Sequence, residues 1–124
     1  MKGILKGLFF YEADNCTDPL TDVYETVDHL VFEVDLPGAD LADVSVMVYE
    51  NLLIIDGARG VDEPQDSELK YLCMERSSKR FRRILNIPVC VNAVAADAFY
   101  SKGVLIVRFP KLKGKLLSID VQRR

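Results

Sequence analysis

The side chains able to do covalent or metal chemistry are few and scattered. Three cysteines, Cys16, Cys73 and Cys90, stand far apart, and His29 is the only histidine. An odd number of well-separated thiols is not a disulfide framework, and it lacks the paired spacing of a zinc site. Three ordinary thiols in a reducing compartment fit better. Asp28-His29 has the composition of an acid–base pair. No nucleophile elbow, glycine-rich phosphate loop or paired metal ligands accompany it, so it reads as a turn between two strands. No catalytic residue, metal site or cofactor is expected, and the chain is not expected to be an enzyme. Arg76, Lys79, Arg80, Arg82 and Arg83 form a basic cluster. On a strand, Arg80 and Arg82 face one way and Phe81 and Arg83 the other. No single basic face results, and Asp62, Glu63, Asp66 and Glu68 supply counter-charges, so a nucleic-acid partner is not expected.

With chemistry set aside, surfaces remain, and the elements that build them can be read from hydrophobic periodicity. The chain has 124 residues, 49% hydrophobic and 28% charged, with a formal net charge of −3. That suits one soluble domain with its own core and gives no general attraction to nucleic acid or anionic lipid. No apolar run approaches the ~20 residues needed to span a bilayer, and no membrane partner is expected. The opening residues Ile4, Leu5, Leu8, Phe9, Phe10 and Tyr11 faintly suggest a signal peptide. Lys6 interrupts that run, and Glu12 and Asp14 stand where a small-residue cleavage site belongs. Residues 1–20 are therefore read as a retained apolar arm, and the protein as cytoplasmic. Too short to fold alone, the arm must pack on its own domain, another subunit or a client protein.

From Asp22 onward the hydrophobic period is mostly two. Leu30, Phe32, Val34 and Leu36 share a face, with Glu33 and Asp35 opposite, and Pro37-Gly38 ends the strand. Val44, Val46 and Val48 repeat the pattern. Glu50-Asn51 turns into Leu52-Leu53-Ile54-Ile55, which is apolar on both faces, as a strand buried within a sandwich would be. An acidic stretch over residues 60–68 reads as an exposed loop, followed by a strand over residues 71–76 and another over residues 80–87. Residues 93–100 are rich in alanine and could pass for helix, but their flanks favour a short strand, and Lys102-Gly103 turns into a last strand over residues 104–109. Short antiparallel strands at this spacing predict an all-β domain.

These residues also carry a family pattern. Asp22-Val23-Tyr24-Glu25-Thr26, then Leu30-x-Phe32-x-Val34-Asp35-Leu36-Pro37-Gly38, resembles the opening strands of the small heat-shock proteins. Asn51-x-Leu53-x-Ile55-x-Gly57-x-Arg59 is similar to their central hairpin. Glu75-Arg76-Ser77-Ser78-x-x-Phe81-x-Arg83 and Leu85-x-Ile87-Pro88 are similar to the segment that follows. Ala98-x-x-x-x-Gly103-Val104-Leu105 with Pro110-Lys111 resembles the closing signature. The resemblance runs from about Asp22 to Lys111, and the order of the motifs makes it specific.

The resemblance implies an immunoglobulin-like antiparallel β-sandwich of the α-crystallin type over residues 21–111. It would be flanked by the arm and by a tail over residues 112–124. It further implies an ATP-independent holdase that binds non-native client proteins and assembles with itself, first as a dimer. As in the bacterial and plant branch, the strand containing Tyr71, Leu72, Cys73 and Met74 would pair with the partner's first strand, around Val23 and Tyr24, the alternative being a strand folded back on its own sheet. Arg83 or Arg82 would stand at that interface. Ile119-Asp120-Val121 is similar to the family's I-x-I/V motif. Its two knobs would dock in a neighbour's groove lined by Val44, Val46, Val48, Ala98 and Phe99. Ile4, Leu5, Leu8, Phe9, Phe10 and Tyr11 would be the client-binding arm, although family members commonly have a longer one. Cys73, on the exchanged strand, could make the dimer redox-sensitive, with a partly buried inert thiol as the plainer reading; Cys90 reads as structural. The competing reading is an adaptor module that docks to one specific chaperone or regulator.

Overall fold

The computed structural model describes residues 18–59, 68–76, 80–114 and 116–124, together with the strand backbone of residues 4–5, 8–9 and 79. The core follows from the period-two pattern. Strand β3 (Thr21–Glu25) pairs antiparallel with β4 (His29–Asp35), β4 with β9 (Val104–Pro110), and β9 with β8 (Asp97–Ser101), giving the sheet order β3-β4-β9-β8. A second sheet has the order β5-β6-β7, from Ser45–Tyr49, Leu52–Arg59 and Lys79–Asn86. Near the N-terminus, β1 (Ile4–Leu5) and β2 (Leu8–Phe9) pair with each other, Ile4 opposite Phe9. The all-β sandwich expected from the sequence is the fold observed.

Leu30, Phe32 and Val34 of β4 meet Leu105, Val107 and Phe109 of β9 on one inner face. Leu53, Ile55, Phe81 and Leu85 line the other. Phe32 and Phe109 meet edge to face, centroids 5.9 Å apart, a favoured arrangement for buried rings. Gly57 sits where the sheet passes close beneath the short 3-10 turn Leu41–Asp43. A Cβ built there would lie 2.4 Å from the Asp43 carbonyl oxygen, so only glycine fits. The β8–β9 hairpin turns through Lys102 and Gly103, both at positive φ (53° and 81°), as a two-residue turn matched to strand twist requires.

Arg83 is the charged residue inside this sandwich, 6% exposed. Its Nη1 donates to the Pro19 carbonyl oxygen and, at 3.3 Å, to Thr21 Oγ1. Burial lowers its pKa from the usual arginine value. The contact joins edge strand β7 to the start of edge strand β3. Those two edges therefore lie on the same side of the sandwich, and β5 and β8 flank the other.

Several expectations need correction. Residues 71–76 form no strand in this chain. Their apolar alternation fits a strand, but a strand needs a hydrogen-bonding neighbour, and none pairs with them among the described residues. Residues 93–100 open with a 3-10 turn, Ala93–Ala95, before β8 begins. Leu53 and Ile55 are fully buried, whereas Leu52 and Ile54 on the outer face are only partly covered, so β6 is not enclosed on both sides. Cys73 and Cys90 are both exposed, so Cys73 is not the partly buried thiol expected. Cys16 and most of the arm lie outside the described residues.

Candidate interaction surfaces

Every strand at a sheet edge directs half its backbone N–H and C=O groups away from the ladder, so an open edge is a ready pairing site. This sandwich has four such edges, β3, β8, β5 and β7, among the described residues. The β3 edge carries Val23, packed on the core, and Tyr24, which points outward and donates from its hydroxyl to Glu33 Oε2 at 2.5 Å. That hydrogen bond is the main cause of a raised Tyr24 pKa, with partial desolvation and the Glu33 charge adding to it. Titrating the tyrosine absorbance should place Tyr24 above its ordinary value of 10.0, and Glu33→Gln should move it back down. A midpoint unchanged by Glu33→Gln would mean that the contact does not persist in solution. Because the folded-state value is raised, the contact favours the fold below the ordinary tyrosine pKa and ceases to as pH rises through the folded one.

On the opposite side, Val44 and Val46 pack against the core from the β5 edge and Val48 is 38% exposed. Across from them, Ala96 and Tyr100 pack inward from β8, and the Tyr100 hydroxyl donates to the Leu36 carbonyl oxygen at 2.6 Å. Ala98 lies on that inward side, opposite Val107 in register. Phe99 does not. It stands opposite Ile106 on the outer face, where the Arg108 guanidinium lies 5.5 Å from its ring centroid. Arg108 also holds Asp97 at 3.0 and 3.2 Å, which lowers the Asp97 pKa below the usual carboxylate value. The inward apolar lining at these edges is thus Val44, Val46, Val48, Ala96, Ala98 and Tyr100. Alternation along β8 already separates Phe99 from Ala98, and counting from Ala98 would have selected Tyr100.

The tail is anchored at its root and free beyond it. The backbone N–H of Lys111 donates to the Asp28 carbonyl oxygen, and that of Leu112 to the Cys90 carbonyl oxygen. Lys111 Nζ reaches Glu25 Oε1 and the Thr26 carbonyl oxygen, each at 3.0 Å. Leu112 helps line a shallow cleft of about 440 Å³ with Ile87, Pro88, Val89, Cys90 and Val91. Further on, Ile119 is 86% and Val121 96% exposed, so neither touches the sandwich of its own chain. Tyr71, Leu72 and Met74 are likewise exposed, at residues 68–76. Cys73 lies there too, its Sγ 3.8 Å from Glu75 Oε2.

The alternation read for the basic cluster holds: Phe81 and Arg83 point in, and Arg80 and Arg82 point out. Arg82 pairs with Asp56 at 3.1 Å, and Asp62, Glu63 and Asp66 lie outside the described residues. His29 opens β4 after a turn in which its N–H donates to Thr26 Oγ1. Among the described residues no three His, Cys, Asp or Glu side chains cluster as metal ligands would. No helix among them is long and apolar enough to cross a membrane.

A two-sheet antiparallel sandwich with open edges and an extended tail defines an α-crystallin type of domain. Residues 22–122 match the Hsp20/alpha crystallin family, and the chain belongs to that family. It is 38% identical over 93 residues to an 18.8 kDa class II heat shock protein of Ipomoea nil, a match covering 73% of this chain and 56% of that protein. It is 30% identical over 105 residues to small heat shock protein C2 of Rickettsia felis, covering 84% and 68%. Among solved structures, a small heat-shock protein from Xylella fastidiosa superposes with a TM-score of 0.68 at 29% identity, covering 85% of this chain and 96% of that one.

Proposed function

We propose that this chain is an ATP-independent holdase, binding unfolding proteins through apolar surface and regulated by its own assembly. The observation that carries this reading is the contrast between a closed core and many large apolar side chains left in water. Phe32, Leu53 and Phe109 are fully buried, while Leu72, Leu116, Ile119 and Val121 are at least three-quarters exposed. Isolated exposed apolar residues are ordinary, but here they gather in two short stretches outside the named strands, Leu69 to Met74 and Leu112 to Val121. Burying one large side chain contributes on the order of 1.5–3 kcal/mol, so a few suffice for a micromolar encounter with an unfolding chain.

In this reading residues 71–74 pair with the open β3 edge of a second copy to make the dimer. Ile119 and Val121 dock between β5 and β8 of a neighbour. Apolar residues 4–11 and the vacated β5–β8 lining receive clients, so release of the tail shifts the population towards the binding form. The Xylella relative is described as having a distinct high-order structure, which supports assembly beyond the dimer.

Light scattering of a heat-labile client, without ATP, tests the proposal. Aggregation should be suppressed when this protein approaches equal subunit ratio. Failure to suppress by folded protein, with capture of one stoichiometric partner instead, would replace the holdase by the adaptor.

A further inference from the structure

The cleft at the foot of the sandwich is given no role by the sheet edges or the tail motif. The β5–β6 turn, through Glu50 and Asn51, forms one rim, and the connection leading from β7 towards β8 forms the other. Ile87 is buried in its floor, Val89 and Val91 pack partly against the core, and Pro88 and Cys90 stand exposed along it. Its volume of about 440 Å³ falls within the range of small ligand sites, and its lining is mostly apolar. Position matters as much as lining. Glu50 directly follows Tyr49, the last residue of β5, and Ala93 opens the short turn that leads into β8. The cleft therefore begins where those two edges end, one step beyond Val48 on the inward apolar side.

We infer that this cleft is a further docking pocket for the tail of a second copy, filled by Leu117, an assignment that rests on the tail docking proposed above. Three observations point to that occupant. The first is parity. In an extended segment Leu117, Ile119 and Val121 share a side, with Ser118 and Asp120 on the other, so a third apolar side chain stands in line with the two knobs. The second is spacing. Leu117 and Ile119 stand about 7 Å apart along an extended chain, as do Glu50 and Val48 along β5. Ile119 placed at Val48 thus brings Leu117 to the mouth of the cleft. The third is charge. In that direction Val121 comes level with Val46, and Arg123 with Val44, next to Asp43. Asp40 and Asp43 are exposed at the turn before β5, so the basic end of the tail meets the acidic end of the lining. The chain's own tail is not the occupant: Leu117 is 75% exposed, although Leu112, shortly before it, lines the cleft.

Docking covers Leu117 and the cleft together, and it fixes which way the tail runs across its neighbour.

Cys90, in the cleft, serves as the trap that tests this. In the full chain with Cys16→Ser and Cys73→Ser, Leu117→Cys should link to Cys90 at least about tenfold faster than Leu116→Cys, because docking raises the local concentration of the inward side chain only. Isotope-labelled and unlabelled copies, mixed before oxidation, should give links between the two. A link confined to one chain, equal rates from positions 116 and 117, or a faster link from Val121→Cys, the sign of a reversed tail, overturns the assignment. Val121→Cys with Ala98→Cys, in a chain that also carries Cys90→Ser, tests the tail docking itself. If that pair links between chains while Leu117→Cys does not reach Cys90, the tail docks and only the cleft is wrongly assigned. If neither pair links, both fall. With the native cysteines, Leu117→Ala should raise the concentration at which the assembly half dissociates by at least about tenfold, against less than about twofold for Leu116→Ala. Equal shifts for those two variants overturn the assignment as well.

Discussion

Arg83→Ala is expected to lower the unfolding free energy by about 2–4 kcal/mol, through lost charge-assisted hydrogen bonds and a cavity at the sandwich edge. The guanidinium is 6% exposed and donates to the Pro19 carbonyl oxygen and Thr21 Oγ1, so its removal leaves those acceptors without that donor. Arg83→Met separates the two contributions, because it keeps most of the apolar stem and no donor. Its loss should fall between those of the parent and Arg83→Ala. Arg83 remains charged at neutral pH even with burial drawing its pKa down, so no step in stability is expected near neutrality. The measurement is chemical denaturation at several protein concentrations. The intramolecular role requires a shift in midpoint between parent and variant that stays constant on dilution. A shift that grows on dilution would return Arg83 to the dimer interface, where the family resemblance put it.

The difference between those two placements shows what periodicity reports. Alternation along β7 correctly set Phe81 and Arg83 on one side and Arg80 and Arg82 on the other, because strand geometry leaves no other choice; the structure shows the first pair to be the inward one. It could not say which acceptor waits inside, since Pro19 and Thr21 are more than sixty residues away in sequence. The core strands were legible for the same geometric reason: Leu30, Phe32 and Val34 share a face whatever they pair with. Residues 71–76, read as a strand awaiting a second copy, form none in the single chain, because a strand is a property of two segments and periodicity reports on only one. The outer face of β6 was misread because an apolar pair, Leu52 and Ile54, says that cover is wanted without saying what supplies it. The edge lining was legible in kind, valines facing small or aromatic residues, and wrong by one step at Phe99, where the parity was not carried through.

The same distinction between a segment and its partner governs the tail, for which Ile119→Ala with Val121→Ala is expected to have the largest functional effect. Both side chains are almost fully exposed in the single chain, so truncating them costs the fold nothing it relies on. Thermal stability of the sandwich should stay within about 0.5 kcal/mol of the parent, as for surface substitutions generally. In a docked tail each buried side chain contributes about 1.5–3 kcal/mol, and truncation to alanine forfeits most of it. The loss per tail is then on the order of 3 kcal/mol, or roughly a hundredfold in affinity. An assembly held by several tails at once compounds that loss, because each joint supports the effective concentration at the next. Sedimentation velocity should show the large species of the parent replaced by dimer-sized particles at the same concentration. The anchored root bears on the interpretation: Lys111 and Leu112 keep their bonds to Glu25, Asp28 and Cys90 in the variant, so the tail departs in the same direction and only its knobs are lost. A variant that sediments like its parent would mean that assembly is held elsewhere. In that event a peptide of residues 114–124, titrated into the parent, should leave the resonances of Val44, Val46, Val48, Ala96 and Tyr100 unmoved.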